Sequence, residues 1–141
     1  MPAFQLAQLN IAIMKYSLDT PEMKDFVDNL DHINALADNA PGFVWRMQDE
    51  AGDATSLRPL GDSTLVNMSV WKDVESLNNY VYRTAHVEIM KRRKEWFDRM
   101  KEAHFVLWWV RAGHRPDIHE AITKLELLKA EGPTQEAFNF R

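Results

Sequence analysis

FVLWWVR, residues Phe105–Arg111, decides the fold. An apolar run this short, closed by Arg111, is too brief for a globular helix. It matches a strand that is apolar on both faces, and a central place in a sheet is expected for it. Downstream, Ala112-Gly113 and Pro116 mark a turn. Ile118, Ala121, Ile122, Leu125 and Leu128 then recur at helical spacing until Gly132-Pro133 stops the helix, and a tail ends in Ala137-Phe138-Asn139-Phe140. Upstream, Leu65–Trp71 alternates Val66, Met68 and Val70 against Leu65, Asn67, Ser69 and Trp71. Phe43–Met47 reads as a short strand, and Phe4–Lys15 alternates Leu9, Ile11 and Ile13 against Leu6, Gln8, Asn10 and Ala12. Two helical segments fill the gaps. One starts at Thr20-Pro21 and carries Met23, Phe26, Val27, Leu30, Ile33 and Ala37 on one face. The other is capped by Asp73, turns Val74, Leu77 and Val81 inward, breaks near Arg83–Ala85 and resumes from His86 to Met100 or beyond. The polar connection Asp49–Asp62 is long enough to serve as a lid.

The order is β-α-β-β-α(α)-β-α, an α+β chain whose first six elements follow the ferredoxin-like arrangement, with a split second helix and an extra C-terminal helix. Residues 1–141 read as a single domain with a real core. A ferredoxin-like sheet covers one face with helices. Here both faces of the strands are largely apolar, so a second subunit's sheet is the economical cover for the other, and a homodimer is expected.

The bulk numbers exclude more than they assign. A net charge of −4 does not suit a nucleic-acid binder. The absence of cysteine removes disulfides, thiolate metal sites and a cysteine nucleophile. No apolar stretch approaches the length of a transmembrane helix, and the N-terminal AFQLAQLNIAIM has no basic leader, so no membrane partner is expected and cytoplasm is the default location. No Gly-rich phosphate loop, dinucleotide fingerprint or GxSxG elbow occurs, which disfavours NAD, ATP and a serine nucleophile; no cofactor is expected. His114, Asp117, His119 and Glu120 have metal-site composition without a metal-site spacing, so no metal is expected and Asp117 reads better as a helix cap. Lys91, Arg92, Lys94 and Arg99 alternate with Glu88, Glu95, Asp98 and Glu102, the pattern of a solvated, salt-bridged face.

The chemistry concentrates in HVEIMKRRKEWFDRM, His86–Met100. Read as one helix, its Ile89, Met90, Trp96, Phe97 and Met100 form a stripe, and His86 and Arg93 fall within about 20° of its centre. A cation and an imidazole on an inward face are costly unless something pairs with them. Arg93 then reads as an anion or carbonyl clamp and His86 as an acid/base. The alternative for both is a structural hydrogen bond across an interface. Gln8, Asn10, Asn67 and Ser69 form a second cluster, a polar row on strands that should be buried; it is either the wall of a ligand cavity or a set of cross-strand hydrogen bonds. Trp108 and Trp109 must face opposite sides of the sheet, so at most one lines any pocket.

A resemblance rests on Ser69-Val70-Trp71 before a helix and on His86 followed by Arg92-Arg93 and Trp96-Phe97. It continues through Leu107-Trp108-Trp109-Val110, Gly113-His114 and Pro116, and through the closing Glu120-Ala121, Leu125, Leu128, Gly132-Pro133 and Ala137-Phe138. These resemble the dimeric α+β barrel superfamily, which includes the antibiotic-biosynthesis-type monooxygenases. More closely, they resemble a family within it known only as a domain of unknown function. The superfamily implies a dimeric barrel and, among its activities, cofactor-independent oxygenation. It also includes haem-degrading enzymes with an Asn on the first strand, an aromatic on the helix after the third, and a His ten residues further. Asn10 and Tyr80 stand where the first two fall, but position 90 is methionine and the histidine is His86.

The reading is therefore a homodimeric α+β barrel that binds an aromatic or apolar small molecule, with monooxygenase-like chemistry if it is an enzyme. A non-catalytic binding or structural module and a haem-binding or haem-degrading protein are the alternatives. The expected catalytic residues are His86 and Arg93. The expected substrate-binding residues are Asn10, Asn67, Trp71, Tyr80, Met90, Phe97 and Trp108.

Overall fold

The computed structural model describes residues 3–48, 58–83, 86–100 and 103–139, without the side chains of Arg83, His86 and Ile89. Most of the expected lid, residues 49–57, and Thr84 and Ala85 of the expected helix break lie outside the described residues. The elements run β1 (Phe4–Ile13), a 3-10 turn (Pro21–Met23) leading into α1 (Lys24–Asp38), β2 (Phe43–Arg46), β3 (Thr64–Trp71), α2 (Val74–Arg83), α3 (His86–Lys91), α4 (Arg93–Trp96), β4 (Phe105–Arg111) and α5 (Ile118–Glu131). Among the described residues the strands form one antiparallel sheet, ordered β2-β3-β1-β4. This is the α+β ferredoxin-like fold with an added C-terminal helix.

The alternation read from the sequence sets the two faces. Leu6, Gln8, Asn10 and Ala12 stand opposite Trp71, Ser69, Asn67 and Leu65, while Ala7, Leu9 and Ile11 stand opposite Val70, Met68 and Val66. The first set faces α1–α4. The second set, with Val106, Trp108 and Val110, packs against Ala121, Leu125 and Leu128 of α5.

That second contact corrects two expectations. The far face of the sheet is covered by the chain's own last helix, so the two-sided apolar character no longer calls for a partner's sheet. And β4 is an edge strand, not a central one. Its α5 side is covered by that helix, while on the other side Leu107 is buried among Leu6, Trp71 and Tyr80 and Trp109 stays exposed beside Phe138 of the tail. Its outer edge is tied by the tail instead: the Leu107 N–H donates to the Phe138 carbonyl at 2.7 Å and the Phe138 N–H returns the bond at 2.9 Å. α5 itself is closed at both ends, by Asp117 accepting from the Glu120 N–H at 2.8 Å and by Gly132 in the left-handed region at φ 72°.

The single helix expected over His86–Met100 is also corrected. α3 stops at Lys91, α4 is one turn, and Phe97 is extended. The cause is competition from the sheet. Past the end of β4, the chain from Trp96 to Asp98 pairs with the last part of β1: Lys15 N–H donates to Trp96 O at 2.8 Å and Asp98 N–H to Ile13 O at 2.8 Å. The stripe is thereby divided. Trp96 and Phe97 are both buried on the helix side, Met100 packs on the α5 side, and Met90 is exposed.

One glycine fixes how β2 meets α2. Gly42 has φ 84°, and a Cβ there would collide with Ser76 Oγ. Its carbonyl accepts from Lys72 N–H at 2.7 Å, just before α2 begins. Asp73 caps that helix as expected, accepting from the Ser76 N–H at 2.8 Å and its hydroxyl at 2.7 Å.

Candidate functional site

The helix side of the sheet holds two apolar clusters rather than one core. At one end Leu6, Trp71 and Leu107 lie under Ala37, Leu77 and Tyr80. At the other, Ala12, Met14 and Leu65 lie under Met23, Trp96 and Phe97. Between them, on the same face, β1 and β3 present Gln8, Asn10, Asn67 and Ser69. The polar row of the sequence is therefore a band across the middle of an otherwise apolar surface.

The band is wired from one side. Gln8 Nε2 donates to Asn67 Oδ1 at 2.7 Å and to Ser69 Oγ at 2.8 Å, and the Trp71 indole N–H donates to the same Ser69 oxygen at 2.8 Å. Gln8 and Ser69 are buried, at 4% and 6% exposure. Asn67, across from Asn10 in the register, is open to solvent. The Asn10 Oδ1 atom is enclosed without a hydrogen-bond donor among the described residues. An interior carbonyl left so costs about 1–3 kcal/mol.

Aromatic and charged groups border the band. Trp71 stacks on Tyr80 with centroids 5.1 Å apart and meets Phe43 edge-on at 5.4 Å. The Tyr80 hydroxyl donates to the Ile33 carbonyl at 3.1 Å, and burial first, then the nearby Asp38 carboxylate, pushes its ionisation well above the usual tyrosine value. At the other end the Arg93 guanidinium stands over the Phe97 ring, 5.7 Å from its centroid. Arg93 is half-buried and has no carboxylate partner among the described residues. Burial lowers its pKa, the sign of a cation held away from water. The neighbouring Arg92 behaves differently, pairing with Asp25 and Glu95 at 2.9 Å each on the outer surface.

Of the expected site residues, Asn10, Asn67, Trp71 and Tyr80 come together in and beside the band. Phe97 bounds it at the far end and carries Arg93. Met90, in α3 ahead of the break after Lys91, is exposed at 39%. Trp108 is on the opposite face, where its indole N–H donates to Glu120 Oε2 at 2.8 Å; strand parity put Trp109, not Trp108, on the helix side. The side chain of His86 lies outside the described residues. His114, Asp117, His119 and Glu120 do not gather: Asp117 caps α5, and Glu120 is shared between Trp108 and His114 Nε2, at 2.7 Å from the latter. Among the described residues no group of three or more His, Cys, Asp or Glu is placed to hold a metal.

Arg46 was not anticipated. It stands beside Ser69 in the register and grips Asp38 through two nitrogens, at 2.7 and 3.2 Å. Simple alternation from Phe43 would turn Arg46 outward. A bulge between Phe43 and Trp45 reverses the parity, sending Trp45 to the α5 side and Arg46 to the helix side. Nothing in FVWR signals that bulge.

Residues 5–141 match the family described as Domain of unknown function (DUF3291). No curated protein matches the sequence. Among solved structures, the chain is similar to a protein of unknown function from Nitrosomonas europaea at 12% identity, covering 83% of this chain and 97% of that one, with a TM-score of 0.50. It is similar also to SnoaB, a cofactor-independent oxygenase from Streptomyces nogalater, at 13% identity, with 82% and 98% covered and a TM-score of 0.48. A third, a dabb family protein with a ferredoxin-like fold from Mesorhizobium loti, has 13% identity, 80% and 98% covered and a TM-score of 0.48. At such identity a likeness is one of fold and says nothing of activity.

Proposed function

The chain belongs to the DUF3291 family, and from its own geometry we propose that this member binds an aromatic small molecule over the polar band between the sheet and α1–α4. One observation carries the reading. The band combines an enclosed, unpartnered Asn10 oxygen with an Asn67 that solvent reaches. A polar strip kept only for structure would close its own hydrogen bonds. This one leaves the Asn10 oxygen without a donor among the described residues beside the exposed Asn67, with Trp71 and Tyr80 toward one end of the face and Phe97 toward the other.

Titration with a panel of planar aromatics, followed by amide chemical shifts, tests it. Ligands should perturb the side-chain amides of Asn10 and Asn67. Shifts confined to the groove of about 840 Å³ lined by Phe4, Trp109, Pro133 and Phe138 would overturn the assignment. That groove is open and mostly apolar, with Thr134 and Gln135 as its polar lining, and suits contact with another protein surface better than recognition of a small molecule.

The monooxygenase-like step implied by the resemblance asks for more: His86 as the base beside a ring held by Arg93. Its measurement is oxygen uptake that His86→Ala abolishes while binding persists. We assign the whole of residues 1–141 to one domain acting in the cytoplasm as a homodimer. With the α5 side already covered, support for the dimer rests on the exposed Phe4 (55%) and Trp109 (44%) beside that groove. Sedimentation as a monomer at micromolar concentration would refute it. No helix of the described residues is long and apolar enough to cross a membrane.

A further inference from the structure

The ladder between β1 and β4 fixes which way the main chain of β4 points. Ala112 N–H donates to Ala3 O and Ile11 N–H to His104 O, each at 2.9 Å. In an antiparallel pair, residues bonded to the neighbour alternate with residues whose main-chain groups face away. In this register Val106, Trp108 and Val110 bond to β1, and Phe105, Leu107, Trp109 and Arg111 turn their N–H and C=O groups to the outer edge. Leu107 gives both groups to Phe138, and the Arg111 carbonyl accepts from His114 N–H at 2.9 Å. The Trp109 N–H, the Trp109 carbonyl and the Arg111 N–H have no partner among the described residues.

The tail explains the gap. It meets β4 antiparallel at Phe138, so an extended tail would set Glu136 beside Trp109. It turns off instead. Thr134 N–H donates to Ala137 O at 2.8 Å, and Thr134 Oγ1 accepts from Glu136 N–H at 3.2 Å. The open groove lined by Phe4, Trp109, Pro133 and Phe138 shares Trp109 with that gap. An N–H, a C=O and an N–H in one row are the complement of another extended main chain, not of a helix or a small ring. A second copy can meet the exposed Phe4 and Trp109 rings, but it cannot pair edge to edge. Two copies set Trp109 to Trp109 would each push a strand into the place that Phe138 holds beside Leu107.

We propose that the β4 edge at Trp109–Arg111 receives a short extended segment of another protein, added antiparallel as a fifth strand. The register gives its side-chain pattern. The residue opposite Trp109 shares its face and is large and apolar, to fill the groove. The residue two positions earlier lies opposite Arg111, an exposed cation in no ion pair among the described residues, and is acidic. Beyond the apolar residue Phe138 blocks the edge, so the segment ends or turns there. The edge is separate from the polar band and does not depend on a ligand there.

The probe is the peptide acetyl-Thr-Glu-Thr-Phe-Thr-amide, titrated into the full chain and followed by amide shifts and hydrogen exchange. It should shift the Trp109 and Arg111 amides and slow their exchange. Methylating the phenylalanine nitrogen removes the donor to the Trp109 carbonyl and should weaken binding at least about tenfold. Methylating the central threonine nitrogen, which faces away, should change binding by less than about threefold. Lysine in place of glutamate should weaken it roughly threefold, and Arg111→Glu should reverse that preference. If both amides stay unmoved at millimolar peptide, the edge takes no strand and the proposal is overturned. If phenylalanine methylation changes nothing, the contact is by side chains alone and strand addition is overturned. If the two amides are already protected in the protein alone and lose that protection on dilution, a second copy holds the edge, and the proposal falls.

Discussion

The two faces of one sheet are built to different rules. The α5 side holds one larger apolar cluster, in which Ala7, Leu9, Met68, Val106 and Trp108 pack with Ala121, Leu125 and Leu128. The α1–α4 side is divided by Gln8, Asn10, Asn67 and Ser69 into two smaller clusters, and its cover comes in short pieces. α1 buries little beyond Ala37, and α4 is a single turn. Fully burying one large aliphatic side chain contributes about 1.5–3 kcal/mol, so the face with the larger cluster supplies more stability per strand. The divided face gives some of that up and gains donors, acceptors and a cation in reach of solvent.

Substitutions that separate the faces should differ in size. Leu125→Ala strikes the closed side and should cost about 2–5 kcal/mol, seen as a lower urea midpoint with unchanged slope. A loss below about 1 kcal/mol would mean that α5 does not seal that side. Ser69→Ala removes one oxygen from the divided side, yet it strips Trp71 of its acceptor and leaves Gln8 only Asn67. It should cost about 1–3 kcal/mol; a neutral result would mean that water replaces the hydroxyl freely.

Asp73→Ala, at the start of α2, should cost about 1 kcal/mol at neutral pH. Hydrogen bonds from the Ser76 hydroxyl and N–H, with the Lys72 charge adding, hold the Asp73 carboxyl below the usual carboxylate value. A pKa lowered by folding stabilises above the unfolded value and loses that contribution as pH falls through the folded one. The difference between wild type and variant should therefore shrink below about pH 4; unfolding at pH 7 and pH 3 measures it. A gap that does not narrow would detach the carboxylate charge from the cap. Arg93→Leu should change stability least, within about 1 kcal/mol, since Leu fills apolar space and no described carboxylate loses a partner. A drop of about 3–5 kcal/mol in ligand-free melts would mean an orphaned buried charge, and Arg93 would be structural.

Strand parity was legible because a period of two is a local property. Leu6/Ala7, Val66/Asn67 and Trp108/Trp109 all divide between the faces as their order requires. The polar row was legible for the same reason: Gln8 and Asn10 interrupt a face whose neighbours are apolar. What could not be read was which body covers which face. The Ala121–Leu125–Leu128 stripe announces a helix with a buried side, but its target is a tertiary fact, and so the cover that α5 gives to this face of the sheet was not legible. His86–Met100 failed as one helix although its apolar spacing fits 3.6 residues, because strand pairing overrides that local period. The pairing of Trp96–Asp98 with β1 takes Phe97 off the stripe. The bulge in β2 had no residue to mark it, so Arg46 went unseen.

Cover by α5 has a consequence in time. The elements from β1 to β4 end at Arg111, and α5 follows them in the chain. A chain emerging from the ribosome therefore passes through a stage when the β-α-β-β-α-β unit can pair its strands while Ala7, Leu9, Ile11, Met68, Val106 and Trp108 face water. At some 5–20 residues per second, the twenty residues up to Glu131 take roughly one to four seconds to add. For that interval the nascent sheet is the most adhesive form this protein takes. Docking of its last helix is the step that ends the exposure.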